Sequence, residues 1–165
     1  MSKFKKKILK NINVLNIITY VNRTTIEKDE NGNDKTIYQT MSLIEQCPTK
    51  VKWAFRVNVK KLEEANKLYQ EAVQEFEKKY IDDEHSYDNI SKDENGNPVL
   101  DSEGNEVKIR SVKEEYLAEF SNGKNELLLQ ENEFNFMVVD IDDFGDVDLE
   151  YSDIEMLSFM IDEGE

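Results

Sequence analysis

The residues with the clearest chemical potential form an acidic segment, Asp140-Ile141-Asp142-Asp143-Phe144-Gly145-Asp146-Val147-Asp148-Leu149-Glu150. A calcium-binding loop of the helix–loop–helix type needs oxygen ligands at positions 1, 3 and 5, glycine at 6 and a bidentate Glu at 12. Asp140, Asp142 and Gly145 meet three of these demands, but Phe144 and Tyr151 stand where the other two ligands belong. Losing them removes much of the cage, and a solvated acidic connector is expected instead. His85, the only histidine, lies in Asp82-Asp83-Glu84-His85. Such neighbours can hold a divalent ion loosely, yet a typical zinc site needs more nitrogen or sulfur ligands. Cys47 is the only cysteine, so no internal disulfide forms, and His85 is the only imidazole available as its base. A buried, inert thiol is the simpler reading. The six glycines lie singly, without a phosphate-cradling loop. No catalytic residue, cofactor or metal site is assigned, and the chain is read as a non-enzyme.

Charge is the strongest signal. Up to Tyr80 there are 16 Lys/Arg and 10 Asp/Glu; from Ile81 onward there are 5 and 26. From Glu131 onward, thirteen acids occur with no base. Such polarisation points to a surface that meets partners. Two candidate surfaces follow. Asp140, Asp142, Asp143, Asp146, Asp148 and Glu150 present carboxylates that either solubilise the protein or imitate a phosphate backbone. Lys50, Lys52, Trp53, Phe55 and Arg56 combine cations with aromatic faces, a set suited to phosphates and stacked bases. The net charge of −15 argues against direct nucleic-acid binding and for cations that neutralise the protein's own acids or a neighbouring subunit's.

At 165 residues, with sixteen Phe, Tyr and Trp, the chain is expected to fold as one domain with a heavily charged surface. A mobile basic N-terminus over residues 1–12 precedes a single α+β domain over 13–165. No apolar run is long enough to span a bilayer, and asparagines interrupt what would be a signal-peptide core. The lone cysteine fits a reducing cytoplasm.

The elements that must position these groups begin with β-branched runs at Val14–Thr25 and Thr36–Ile44. They flank Asn31-Gly32, a hairpin signal because Asn-Gly reaches positive φ cheaply. Val51, Trp53, Phe55, Val57 and Val59 alternate strictly, as in a strand, or lead straight into the next helix. Leu62, Ala65, Tyr69, Ala72, Val73, Phe76 and Tyr80 repeat at three and four residues and predict one amphipathic helix over 60–80. Asp93-Glu94-Asn95-Gly96-Asn97 repeats Asp29-Glu30-Asn31-Gly32-Asn33 word for word, and Asp101-Ser102-Glu103-Gly104-Asn105 follows. These acidic turns frame a β-meander. Ser111-Val112-Lys113-Glu114 reads as a capping box for a second helix, which Gly123 ends or weakens. Phe134–Val139 reads as a strand, and Ser152-Asp153-Ile154-Glu155 opens a short last helix. The expected class is α+β: N-terminal hairpin or small antiparallel sheet, long helix, meander, helix, strand, short helix.

In this order the chain resembles a family of short phage and prophage proteins of low-GC Gram-positive bacteria, whose role is uncharacterised. The resemblance rests on Lys52-Trp53-Ala54-Phe55-Arg56-Val57 running into Leu62–Leu68, then Glu94-Asn95-Gly96-Asn97-Pro98-Val99 and Glu103-Gly104-Asn105. Val112–Leu117, Glu126-Leu127-Leu128 and the acidic C-terminal strand complete it, covering roughly residues 50–165. The N-terminal hairpin departs from the family pattern. The resemblance implies phage origin. Together with the charge it leads us to expect a protein-binding module of virion or tail assembly in the host cytoplasm or the virion. Its partner is a phage structural protein, self-association is compatible, and an exposed N-terminal strand edge is available to a partner's sheet. The alternative is an acidic DNA mimic that inhibits a host nucleic-acid enzyme of the restriction or CRISPR type.

Overall fold

In the computed structural model, which describes residues 3–162 and Gly164, the chain is α+β, with small antiparallel sheets and a dominant helix. The strands are β1 (Lys3–Lys10), β2 (Thr24–Lys28), β3 (Asp34–Tyr38), β4 (Ser86–Ile90), β5 (Lys108–Val112) and β6 (Glu131–Val138). The helices are α1 (Asn11–Val21), α2 (Gln39–Gln46), α3 (Thr49–Glu77), α4 (Glu114–Leu129) and α5 (Tyr151–Leu157). No helix among the described residues is long and apolar enough to cross a membrane.

The described residues gather into two compact units. The first holds the described residues up to Leu68 and from Leu129 onward; the second is Tyr69–Leu128. Helix α3 begins in the first and ends in the second.

Strand β1 helps to build the first unit and corrects the expectation of a mobile basic arm over residues 1–12, of which 1 and 2 lie outside the described residues. Lys3–Lys10 pair antiparallel with β6, from Lys3 opposite Val138 to Lys10 opposite Glu131. Lysines are poor strand formers, but here Phe4, Ile8 and Leu9 accompany them against a β6 that carries Phe134, Phe136, Met137 and Val138. Lys7 donates to the Ser158 carbonyl at 2.6 Å, and Lys5 lies 2.5 Å from Asp162. Ion pairs and carbonyl contacts therefore hold down a strand that looked, as sequence, like a loose tail.

The segment Val14–Val21, expected as a strand, is helical. Asn11, Val14, Ile17, Tyr20 and Val21 are buried, a spacing of three and four that fits one helix face. The N–H of Lys10 donates to Asn13 Oδ1 at 3.1 Å, helping to close the first turn. Chain reversal at Asn31-Gly32 occurs as expected, between the shorter β2 and β3. The strand-like alternation over Val51–Val59 also proves helical: Val51, Ala54, Phe55, Asn58, Val59 and Leu62 are buried, while Trp53 points outward.

The first unit's core lies between α1, α3 and β6, with Phe136, Phe144, Leu157 and Met160 almost wholly buried. Asn58 on α3 stands at 0% exposure among them. Its carboxamide bonds the backbone of Met137 on β6 with both donor and acceptor.

The second unit packs the rings of Phe76, Tyr80, Phe120, His85 and Tyr116 together. The meander is present: β4 pairs β5, and bridges join Lys92 to Pro98 and Leu100 to Glu106. Val99 donates to Ser91, Ser91 to Val107 and Val107 back to Val99, a closed ring of backbone hydrogen bonds. The three acidic turns are one device. In each, the leading Asp accepts N–H groups two and four residues on, and Gly96, like its counterparts, takes a positive φ. Helix α4 starts at Glu114, later than the capping box at Ser111 implies, and runs through Gly123 without interruption.

Candidate functional site

Helix α3 presents Thr49, Lys52, Trp53, Arg56, Lys60 and Glu63 along one stripe, set by their spacing of three and four residues. Facing it are Val21 and Asn22, where α1 ends, and Met41, Ile44 and Glu45 of α2. Between them runs a groove of about 710 Å³. Its floor is apolar, with Val21, Ile44, Phe55 and Val59 buried. Its rim is not: Trp53 is 57% exposed and Met41 40% exposed. A tryptophan so far out of the core leaves a large apolar surface in water without an internal reason. Lys52, Arg56 and Lys60 supply three cations, against Glu45 and Glu63. Lys52 and Glu45 lie 3.6 Å apart, and both are well exposed, so their attraction is weak.

Four of the five basic and aromatic residues singled out from the sequence thus meet in one place: Lys52, Trp53, Phe55 and Arg56. Phe55 serves as floor rather than as an exposed stacking face. Lys50 points elsewhere and pairs with Asp143 at 2.5 Å. Met41 and Ile44 of α2 were not foreseen, because their segment was read as a strand.

The six acids are divided. Asp140 lies 3.4 Å from Lys3, and Asp143, beside Lys50, also accepts the Asp140 N–H at 2.8 Å. The Lys50 ammonium holds the Asp143 carboxyl below the usual carboxylate range. Asp148 and Glu150 border a concavity that Arg23 also lines, while Asp142 and Asp146 are exposed. Beneath them Phe144 plugs into the core at 1% exposure. The aromatic side chain at the fifth position of the would-be calcium loop is therefore an anchor. Lysines and an arginine interleave with the acid run.

Next to that concavity lies a network that sequence reading missed. Asp153 is 4% exposed. It accepts the Tyr20 hydroxyl at 2.7 Å and Arg23 Nη2 at 2.8 Å, while its second oxygen accepts the Glu150 N–H at 3.1 Å. Arg23 Nε donates to Thr40 Oγ1 at 2.9 Å, and Thr40 donates to the Tyr20 carbonyl at 2.7 Å. Burial alone would raise the Asp153 carboxyl; Tyr20, the Glu150 N–H and Arg23 together outweigh it and hold it low. The same burial and carboxylate push the Tyr20 phenol far up. The network ties α5 to α1 and to the start of α2. The capping box read at Ser152–Glu155 lies two residues earlier in the structure, with Glu150 as N-cap and the Asp153 carboxylate reaching back to its N–H.

The remaining candidates are local. Cys47 is buried, its Sγ lies 3.6 Å from the Leu43 carbonyl, and burial pushes the thiol up, so it stays protonated at neutral pH. Asp82, Glu84 and His85 are the one set among the described residues whose ligand atoms all lie within 4.8 Å of one another. His85 Nδ1 sits 2.6 Å from Asp82 Oδ1, which also accepts the His85 N–H at 2.9 Å. Lys113 donates to the carbonyls of Asp83 and Glu84, and Arg110 pairs with Asp83 and Asp88. Asp82 and His85 thereby act as closures of a tight turn.

No family model matches the chain, and neither does any curated protein or solved structure.

Proposed function

We propose that the chain is a non-catalytic protein-binding module that seats an apolar segment bearing acidic side chains in the groove over Trp53. The observation that carries this reading is Trp53 itself: more than half exposed, set above a buried apolar floor and flanked by Lys52 and Arg56. Tryptophan and arginine side by side at a concave apolar surface are the composition of interface hot spots. The resemblance to phage and prophage proteins supports a role in virion or tail assembly, with a phage structural protein as partner. The interleaving of Lys3, Lys50 and Arg23 with the acidic segment favours this over DNA mimicry, which needs an unbroken file of carboxylates.

The test is copurification from infected host cells at low and moderate salt, comparing the wild type with Trp53→Ala/Arg56→Glu. A phage structural protein retained by the wild type and lost from the variant is the expected result. A host nucleic-acid enzyme retained by that variant, but lost when Asp142, Asp146 and Asp148 become Asn, would instead establish the mimic.

A further inference from the structure

Among the described residues strand β1 has one strand neighbour, β6, and no strand pairs with its other edge. The hydrogen-bond accounting shows which groups face that edge. Met137 gives both its N–H and its C=O to Asn58, and the Asn135 carbonyl accepts Lys61. Met137 and Asn135 therefore turn their backbone polar groups away from β1. Their register partners, Phe4 and Lys6, must do the same on the opposite side. The Asn11 N–H bonding to the Gln130 carbonyl at 3.0 Å fixes the same parity, with odd-numbered residues of this ladder facing β6. Phe4, Lys6 and Ile8 thus direct their N–H and C=O groups outward at about 7 Å intervals, each pair unmatched among the described residues. Their side chains leave the edge accessible, with Phe4 52% and Ile8 62% exposed.

We infer that this edge accepts, as an added strand, an extended segment of another protein that alternates acidic and apolar residues. Charge decides the occupant. Five of the eight residues of β1 are lysines and none is acidic. An antiparallel pair with a second copy sets Lys6 on Lys6, Lys5 on Lys5 or Lys7 on Lys7, according to register, and like charges directly opposite are destabilising. The same lysines favour a carboxylate-bearing strand. Although Lys6 lies 2.9 Å from Glu133, both are largely exposed, and an ammonium keeps further N–H donors for a second acid. Lysine-rich edges protect sheets against indiscriminate pairing; here they also select. This surface is separate from the Trp53 groove and does not depend on it.

The test uses the full chain, ¹⁵N-labelled, and an acetylated, amidated heptapeptide alternating Glu and Val, with the Lys/Val peptide as control. The acidic peptide is expected to shift the Phe4, Lys6 and Ile8 amides and slow their exchange at least about tenfold, with the basic peptide inert. Lys6→Pro removes a donor that the fold does not use, so it should weaken the peptide about tenfold while leaving Tm nearly unchanged. Lys5→Pro, which removes a donor facing β6, should lower Tm. Unchanged amides, equal binding by Lys6→Pro, or equal binding of the basic peptide overturns the inference. So does protection of these amides by self-association as concentration rises. Should Lys6→Pro fail to fold, the exchange measurement on the wild type decides alone.

Discussion

The Asn58 carboxamide donates to the Met137 carbonyl at 2.7 Å and accepts the Met137 N–H at 2.9 Å, so a helix side chain stands where a third strand would pair with β6. Removing it leaves two backbone groups unsatisfied in the core. Asn58→Ala is expected to cost about 2–6 kcal/mol, since each of the two orphaned buried groups costs about 1–3 kcal/mol. Urea denaturation measures this. A loss within about 1 kcal/mol, on the scale of a single surface change, would mean that water reaches Met137 and the asparagine is no substitute strand.

Asp153 predicts a pH dependence. Its carboxyl is held below the unfolded value of about 4, so its contribution is present above that pH and is lost as pH falls toward the depressed folded value. Asp153→Asn, which keeps the shape but removes the charge, is expected to destabilise by about 2–3 kcal/mol at pH 7. The gap between wild-type and variant Tm should narrow steadily below about pH 4. A gap independent of pH between 7 and 3 counts against the charged network.

Trp53 is the only tryptophan, so fluorescence emission reports on the groove alone. In the free protein it should emit at long wavelength, as an indole in water, and shift to the blue when a partner fills the groove. Trp53→Ala should leave stability within about 0.5 kcal/mol, as exposed substitutions usually do, yet abolish binding. Emission already blue in the free protein would show the indole to be buried.

Gly123 predicts an effect opposite to helix propensity. Alanine in the middle of a helix is ordinarily favoured over glycine by about 1 kcal/mol. Here, however, a Cβ at 123 overlaps the Phe76 ring carbons, so Gly123→Ala should destabilise by about 1–3 kcal/mol, the range for overpacking. Thermal melts of this variant and the double variant with Phe76→Leu separate the causes. The smaller side chain should restore part of the loss.

The α+β class, the Asn31-Gly32 reversal, the acidic meander and β6 were legible because each carries a local signal. What was missed or left open has physical reasons. Val51, Trp53, Phe55, Val57 and Val59 alternate perfectly, but Ala54 and Asn58 take core positions that a hydrophobicity scan passes over. With them, the stripe is helical. Val14, Ile17 and Val21 favour strands by type and helix by spacing, and spacing prevailed. Strand β1 was illegible, since five lysines become a strand only through β6, Asp162 and the Ser158 carbonyl. The groove was half visible: its basic and aromatic residues were named, but their common face depended on α3 beginning at Thr49 rather than after Val59.

The pairing of β1 with β6 also governs when the first unit can form. Lys6 and its ion-pair partner Glu133 are 127 positions apart, with the whole of Tyr69–Leu128 between them. On the ribosome β1 emerges before β6 and cannot make this pairing until the intervening unit has been synthesised. Loop closure over such a length costs little more than over half of it, so the penalty falls on timing rather than on final stability. In that interval the five lysines of β1 disfavour its pairing with the β1 of another copy, because like charges set opposite one another are destabilising.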